Sequence, residues 1–307
     1  LNDVNILTSM RWSVIDLFCG VGGLSLGFER AGIPISAAFD NWQEAITVYN
    51  ENFKHKAEML DLSETEEAIR RLSQYAPNLI IGGPPCQDFS HAGKRKEGER
   101  ANLTRSFSQI VANLKPEWFV MENVDRAQKS KAFQEAEEIF RENGYGITKI
   151  VLDASLCGAP QKRKRFFCIG HKNDCDDFLA FSLLSNMNKQ PMTVKQYFKD
   201  DIKIEHYYRH PRNYTRRAVF SVNEPAPTIR GVNRPVPPNY NRHPGDTENP
   251  AKVRSLTTSE RAQIQTFPKD FIWKGSKTSV EQMIGNAVPV QLGYFVAYCI
   301  QEYIQKN

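Results

Sequence analysis

Val14-Ile15-Asp16-Leu17-Phe18 reads as a short, mostly apolar strand that runs directly into Cys19-Gly20-Val21-Gly22-Gly23. A helix is expected from Leu24 to Arg30. Strand, glycine-rich turn and helix form the opening of a Rossmann-like unit, whose turn lets backbone approach a nucleotide-like ligand closely. No other segment constrains the fold as much, because the strand must sit inside a layered α/β sheet. The turn alone suits NAD, FAD or S-adenosylmethionine equally.

The second strand, residues 35–39, ends at Asp40. A carboxylate about 20 residues beyond the glycines suits the two hydroxyls of a ribose. It equally suits the cap of the helix expected over residues 44–52. A third strand, residues 57–62, carries Asp61, and Ser63-Glu64-Thr65-Glu66 then opens an acidic helix. Ligand contact and helix cap are again both open. The alternation of strand and helix indicates a parallel sheet and an α/β fold.

Leu79-Ile80-Ile81 is a buried strand that breaks into Gly82-Gly83-Pro84-Pro85-Cys86-Gln87-Asp88-Phe89-Ser90. Proline fixes φ, so the loop is stiff, and it lies at a strand end where open α/β sheets place their chemistry. A thiol held there is a candidate nucleophile once its pKa falls; a structural cysteine beside a tight turn is the plainer alternative. Lys94, Arg95, Lys96, Arg100 and Arg105 follow in a polar stretch that reads as a solvated loop or as one closing over a polyanion. Trp118-Phe119-Val120-Met121 is another strand, tipped by Glu122-Asn123-Val124. A carboxylate at a buried strand tip is costly to ionise, which makes Glu122 a candidate acid or hydrogen-bond donor. Pairing with an arginine would make it structural instead. In Gln161-Lys162-Arg163-Lys164-Arg165, alternation puts the two arginines on one face and the lysines on the other. A solvated basic edge strand has the same pattern.

Composition matters most in the second half. The 307 residues allow one or two domains, and the net charge of +5 is too mild to identify a partner. Its distribution is more telling: ten Lys/Arg against four Asp/Glu between residues 203 and 254, with Tyr207, Tyr208, Tyr214 and Tyr240 interleaved. Cations hold phosphates, while rings and arginine forks meet bases, although a generic polar surface has a similar composition. No apolar run reaches the roughly 20 residues of a membrane span and no signal peptide is visible, so a cytoplasmic protein with free thiols is expected. None of the six cysteines forms a C-x-x-C pair, which argues against zinc or dithiol chemistry. Thr258 or Ser259 is expected to cap a helix over residues 260–266, and a final amphipathic helix runs to about Ile304. The expected division is residues 1–175 for catalysis and cofactor, 176–281 for target recognition with a helix near 258–267 at the junction, and 282–307 folding back onto the first part.

Asp16-Leu17-Phe18-Cys19-Gly20-x-Gly22-Gly23, Pro84-Pro85-Cys86-Gln87, Glu122-Asn123-Val124, Gln161-x-Arg163-x-Arg165 and Gly285-Asn286-Ala287-Val288-Pro289 occur in that order. Together they resemble the DNA (cytosine-5)-methyltransferases, in particular the compact bacterial restriction–modification type. The resemblance runs from about residue 13 to 293 and is weakest over residues 176–253, where the family recognises its target. It implies a Rossmann-like S-adenosylmethionine-dependent methyltransferase domain with a smaller, irregular target-recognition domain. It also implies S-adenosylmethionine as donor, S-adenosylhomocysteine as product, no metal, and C5 of a cytosine flipped out of double-stranded DNA as acceptor. Cys86 would attack C6 and Glu122 would stabilise charge at N3, with Arg163 orienting Glu122 or the base carbonyl and Arg165 steadying the loop.

By the same resemblance, Phe18, Gly20, Gly22, Asp40, Asp61, Pro84, Leu103, Asn286 and Val288 are cofactor-side positions. Asp40 stands where glutamate is commoner, and Ala101 replaces a glycine near Leu103. The expected DNA contacts are Gln87, Ser90, Lys94, Arg95, Arg216, Arg217, Thr228 and Arg230. A monomer is implied, working beside a restriction endonuclease in a bacterium or phage. A transfer-RNA methyltransferase of the same fold is the nearest alternative, but no Cys-Phe-Thr tripeptide of that branch is present. A catalytically silent DNA-binding relative fits less well, since Cys86, Glu122, Arg163 and Arg165 are intact, and an NAD dehydrogenase explains only the first block.

Overall fold

A computed structural model of the chain describes residues 11–85, 103–213 and 215–306. Strands β1 (Val14–Leu17), β2 (Ala37–Asp40), β3 (Ala57–Met59), β4 (Leu79–Gly82) and β5 (Trp118–Val124) pair in parallel in the order β3-β2-β1-β4-β5. After β6 (Tyr145–Asp153) and the two-residue β7 (Gln161–Lys162) comes β8 (Lys164–Lys172). It lies antiparallel between β5 and β6 and completes a seven-stranded sheet. The segment carrying the two arginines is therefore not a solvated edge: β8 has a neighbour on each side, and Phe166, Phe167, Cys168 and Ile169 are fully buried.

Helices cover both faces, so the central strands are apolar on both sides. Ile15, Leu17, Ile80, Phe119 and Met121 point to one face, where Leu72, Phe107, Ile110 and Phe140 arrive from α3 (Thr65–Leu72), α4 (Leu103–Leu114) and α5 (Lys131–Glu142). Their alternate neighbours Val14, Leu79, Ile81, Trp118 and Val120 point to the other. There they meet Leu24 and Phe28 of α1 (Gly23–Arg30) and Leu292, Phe295 and Val296 of the C-terminal helix, residues 290–306. Each such side chain, fully buried, contributes about 1.5–3 kcal/mol. Residues 277–306 have the length and apolar character of a membrane span, but the stretch is broken after Asn286 and most of it is buried in this core.

A second core joins α2 (Gln43–Asn52) to the later chain. Ala45, Ile46 and Tyr49 pack with Val194, Phe198, Tyr207, Val222, Leu256, Ile264, Phe267 and Ile284. Helix α6 (Ala180–Asn186) instead buries Leu183 beside the C-terminal helix. Packing thus crosses the expected boundaries at residues 175 and 281. The rest of this region holds α7 (Val194–Phe198), β9 (His206–Tyr208), β10 (Val219–Ser221), β11 (Ala226–Pro227), α8 (Thr258–Ile264), α9 (Lys277–Asn286) and α10 (Val290–Lys306). Tyr207 and Tyr208, expected among DNA-facing rings, are 0% and 1% exposed: β9 pairs with β10 and turns both inward. The cap of α8 is Thr257, one residue before the expected candidates, in a reciprocal box with Glu260.

Candidate active site

The C-terminal ends of β1, β2, β4 and β5 converge on a cavity of about 620 Å³ at the β1/β4 junction, where the strand order reverses. Phe18, Gly20, Asp40, Asp61, Pro84, Leu103, Asn286 and Val288 line it, together with Glu122, Arg163 and Arg165. Phe18 adopts φ 60°, strain of the kind that a functional turn retains. Gly22 is the exception to the cofactor-side expectation. It does not line the cavity; with φ 87°, its added Cβ would stand 2.5 Å from the Phe53 ring, so it is a glycine for packing.

Asp40 serves the turn and the helix start together. Oδ2 accepts from the Gly20 amide at 2.8 Å and Oδ1 from the Trp42 amide at 2.9 Å. The Asn41 amide also favours this carboxylate, which still keeps accepting capacity for a ligand. Asp61 Oδ1 accepts from the amide and hydroxyl of Ser63 at 2.9 and 2.6 Å, which shapes the entry to α3. The sequence reading missed Asp16, which is buried and also lines the cavity. Burial pushes its carboxyl up to about 8, and Ser25 Oγ donates to it at 2.5 Å. Ser25 in turn accepts from Tyr49, which adjoins His55.

At the other end of the cavity, Glu122 Oε1 meets Arg165 Nε at 2.8 Å, with both side chains largely buried. Burial pushes this carboxyl above the ordinary range against the pull of Arg165 and, next, Arg163. Gly83 passes so near that a Cβ would lie 2.9 Å from Glu122 Oε2. Asn123, a residue of the motif to which no role had been given, donates from Nδ2 to the Pro84 carbonyl at 3.0 Å. The tip of β5 therefore holds the Pro84-Pro85 segment that leads to Cys86.

The two arginines take different kinds of partner. Arg165 is the partner of Glu122, whereas Arg163, 1% exposed, donates to the carbonyls of Ile229 at 2.9 Å, Gly285 at 2.9 Å and Ala287 at 3.1 Å. β8 begins after Arg163, so that residue turns inward while Arg165 stands at the mouth.

Cys86, Gln87, Ser90, Lys94 and Arg95 lie outside the described residues. Of the other expected DNA contacts, Arg216 is exposed. Arg217 is engaged internally, paired with Glu224, donating to the Val219 carbonyl and lying 4.3 Å from the Phe220 ring. Thr228 donates to the Lys162 carbonyl at 2.8 Å, and Arg230 donates to the carbonyl of His210. Around Arg230 gathers a set not singled out by sequence: Arg209, Arg212, Arg234 and His210. Burial and then Arg230, Arg212 and Arg261 bring Arg209 down to about 10, and His210 is lowered by burial, Arg234, Arg230 and Arg209. Even spacing along the chain gave no signal of this cluster, because two separate segments, residues 209–212 and 230–234, supply it.

A family model described as C-5 cytosine-specific DNA methylase matches residues 12–302. The chain belongs to that family. This C-5 cytosine-specific DNA methylase is 53% identical over 293 residues, 95% of each chain, to the type II methyltransferase M.HgiDI of Herpetosiphon aurantiacus. It is 54% identical over 289 residues to M.HindV, a type II methyltransferase of Haemophilus influenzae, covering 93% of this chain and 95% of the relative. Among solved structures, the Dnmt2 methyltransferase of S. pombe shares the fold with a TM-score of 0.71 at 19% identity, covering 96% of this methylase and 99% of the other chain.

Proposed function

We propose that this methylase modifies C5 of one cytosine in a specific duplex DNA sequence, through a covalent Cys86–C6 adduct, as the modification half of a type II restriction–modification pair. The observation carrying this reading is the continuous cavity that joins the glycine turn and carboxylates at one end to the Glu122–Arg165 pair at the other. Its volume falls within the roughly 300–1,000 Å³ of small-molecule sites. Asp40, Asp61, Asn286 and Val288 would hold S-adenosylmethionine, which when bound supplies the methyl group.

Cys86 would add to C6 as a thiolate, which makes C5 carbanion-like. Glu122, whose carboxyl burial shifts toward protonation against the pull of Arg165, would in its protonated form donate to N3 as charge accumulates there and so stabilise the transition state more than the ground state. Arg165 would keep that carboxyl aimed at the base. Loss of the C5 proton and expulsion of the thiolate then restore the ring. Four of the five described cysteines suit the nucleophile's role poorly: Cys19, Cys157, Cys168 and Cys299 are buried, with thiols raised by that burial, while the exposed Cys175 is not among the residues lining the cavity. Because the base is stacked in duplex DNA, it must be flipped out, and the Arg209–Arg234 cluster would grip the backbone while it is.

The reading is tested with a duplex carrying 5-fluorocytosine at a site located by bisulfite sequencing. Fluorine cannot leave C5 as a cation, so methylation should leave a denaturation-resistant complex that forms only with S-adenosylmethionine. Mass spectrometry should place it on the Cys86 peptide. An adduct on another cysteine, or methylation of DNA at a position other than C5, would refute the assignment.

A further inference from the structure

Gln161, the first residue of its arginine block, takes no part in the chemistry above, yet it is fully buried and engaged at both ends of its amide. Oε1 accepts from the Ile229 amide at 2.8 Å, and Nε2 donates to Gln265 Oε1 at 2.7 Å. Gln265, also 0% exposed, donates through Nε2 to the carbonyls of Ile284 and Ala287. These bonds form one directed chain, amide to carbonyl at every link, from Ile229 to the turn that bears Asn286 and Val288. Arg163 makes the same connection by a parallel route, from the Ile229 carbonyl to those of Gly285 and Ala287. Both backbone groups of Ile229 are thereby tied to the turn.

The packing leaves no slack between the two segments. A Cβ on Gly285 would fall 2.1 Å from the Gly231 nitrogen. Behind the turn, the Val290 amide donates to the Gln265 carbonyl at 3.0 Å and the Gln291 amide to Thr266 Oγ1 at 2.8 Å, so the start of α10 is held as well. A shift of Ile229 would strand a buried donor or acceptor unless the turn moved with it.

We propose that Gln161 and Gln265 are positioning residues that couple the segment bearing Thr228 and Arg230 to the cofactor-facing turn, so that DNA and cofactor each tighten the other's binding. This rests on the assignment of those segments under the proposed function. The coupling is a ratio α of S-adenosylhomocysteine affinities with and without DNA, and by linkage it equals the effect of that ligand on DNA affinity.

Calorimetry with S-adenosylhomocysteine, in the presence and absence of a duplex carrying a site that the protein methylates, measures α. The wild type should show α of about 5 or more. Gln265→Glu keeps an acceptor for Gln161 but turns a carboxylate oxygen toward two carbonyls; Gln161→Glu faces Gln265 Oε1 in the same way. Either should bring α to within about twofold of 1 while each ligand alone binds within about threefold of wild type. The double variant should lose nothing more, since both changes cut one chain. A wild-type α near 1 would overturn the inference without any variant. So would α retained in a folded variant whose melting temperature alone has fallen, and either variant carries the test if the other does not fold. A wild-type protein that neither binds S-adenosylhomocysteine nor methylates DNA would instead refute the proposed function.

Discussion

Around the cavity, Arg165 meets Glu122 at 2.8 Å and Arg163 is shared by three carbonyls, whereas Arg209, Arg212 and Arg230 have one another and Arg261 as charged neighbours, and Arg234, Arg230 and Arg209 act together on His210. The first arrangement is largely satisfied from within the chain. Arg165 has its carboxylate partner, both terminal nitrogens of Arg163 are engaged with only its Nε left over, and Pro84 is held by Asn123. The second keeps like charges together against their mutual repulsion, and a polyanion would relieve it. On the proposed reading, one region would stabilise charge that develops on a base and the other would meet charge that is already there. Substitutions in the two should therefore fail differently, in turnover for the first and in salt-dependent binding for the second.

The largest effect is expected at the loop. Cys86→Ser replaces a thiol with a hydroxyl far less ionised at neutral pH, so single-turnover methyl transfer should fall to background while DNA binding persists. Appreciable turnover by this variant would remove the thiolate from the mechanism and the contrast with it.

Glu122→Gln comes next, with kcat lower by on the order of 10²–10⁴ and little change in DNA affinity. Its pH profile sharpens the claim. The folded pKa is raised, so the donating, protonated form is lost as pH rises through it, and wild-type kcat should decline there from this group. The same sign applies to stability: this carboxyl's contribution becomes less favourable as pH rises from its unfolded value through the folded one. The amide cannot titrate, so both trends should vanish in the variant. An alkaline limb that persists unchanged would belong to another group.

Glu122 stands at a strand tip, and Cys86 follows an apolar run and a glycine-proline break in the sequence, which is why both were legible there. Apolar runs, glycine and proline breaks and period-two alternation place β1, β4 and β5, and the polar residues that follow must lie at their tips. Asn286 and Val288 came only through a resemblance, since the break between α9 and α10 has no local signature of a ligand site. The order of roles for Arg163 and Arg165 was not legible either. It depends on the β7–β8 interruption and on Ile229 and Gly285, which lie 66 and 122 residues away. The basic excess over residues 203–254 was visible as a count, but burial of Tyr207 and Tyr208 and the grouping of four arginines are tertiary facts.

A smaller, purely electrostatic effect is expected in that group. Arg212 and Arg234 are exposed, and Arg212→Gln with Arg234→Gln should reduce the slope of log affinity against log salt by about 2, close to one unit for each phosphate no longer neutralised. Turnover at saturating DNA should hold. Filter binding across a salt series decides it; an unchanged slope would mean that the cluster faces something other than phosphate.

The smallest effect is expected at Arg217, and it separates cations that serve the fold from those that await a partner. By sequence it is the twin of Arg216, and both belong to the same basic stretch. In the structure, Arg217 pairs with Glu224, caps the Val219 carbonyl at 2.9 Å and lies against the Phe220 ring, while Arg216 is exposed. A half-exposed ion pair contributes about 0.2–1 kcal/mol, and a cation over an aromatic face at an exposed site about 0.5–1 kcal/mol. Arg217→Gln should accordingly cost about 1 kcal/mol of stability, read as a modest fall in melting temperature, and leave the salt slope where it was. Arg216→Gln should do the reverse, with no change in melting and a slope lower by up to about 1. If Arg217→Gln flattened the slope as much as the Arg212 and Arg234 pair, its bond to Glu224 would have to open when DNA binds. This basic region would then be rebuilt on DNA rather than merely completed by it.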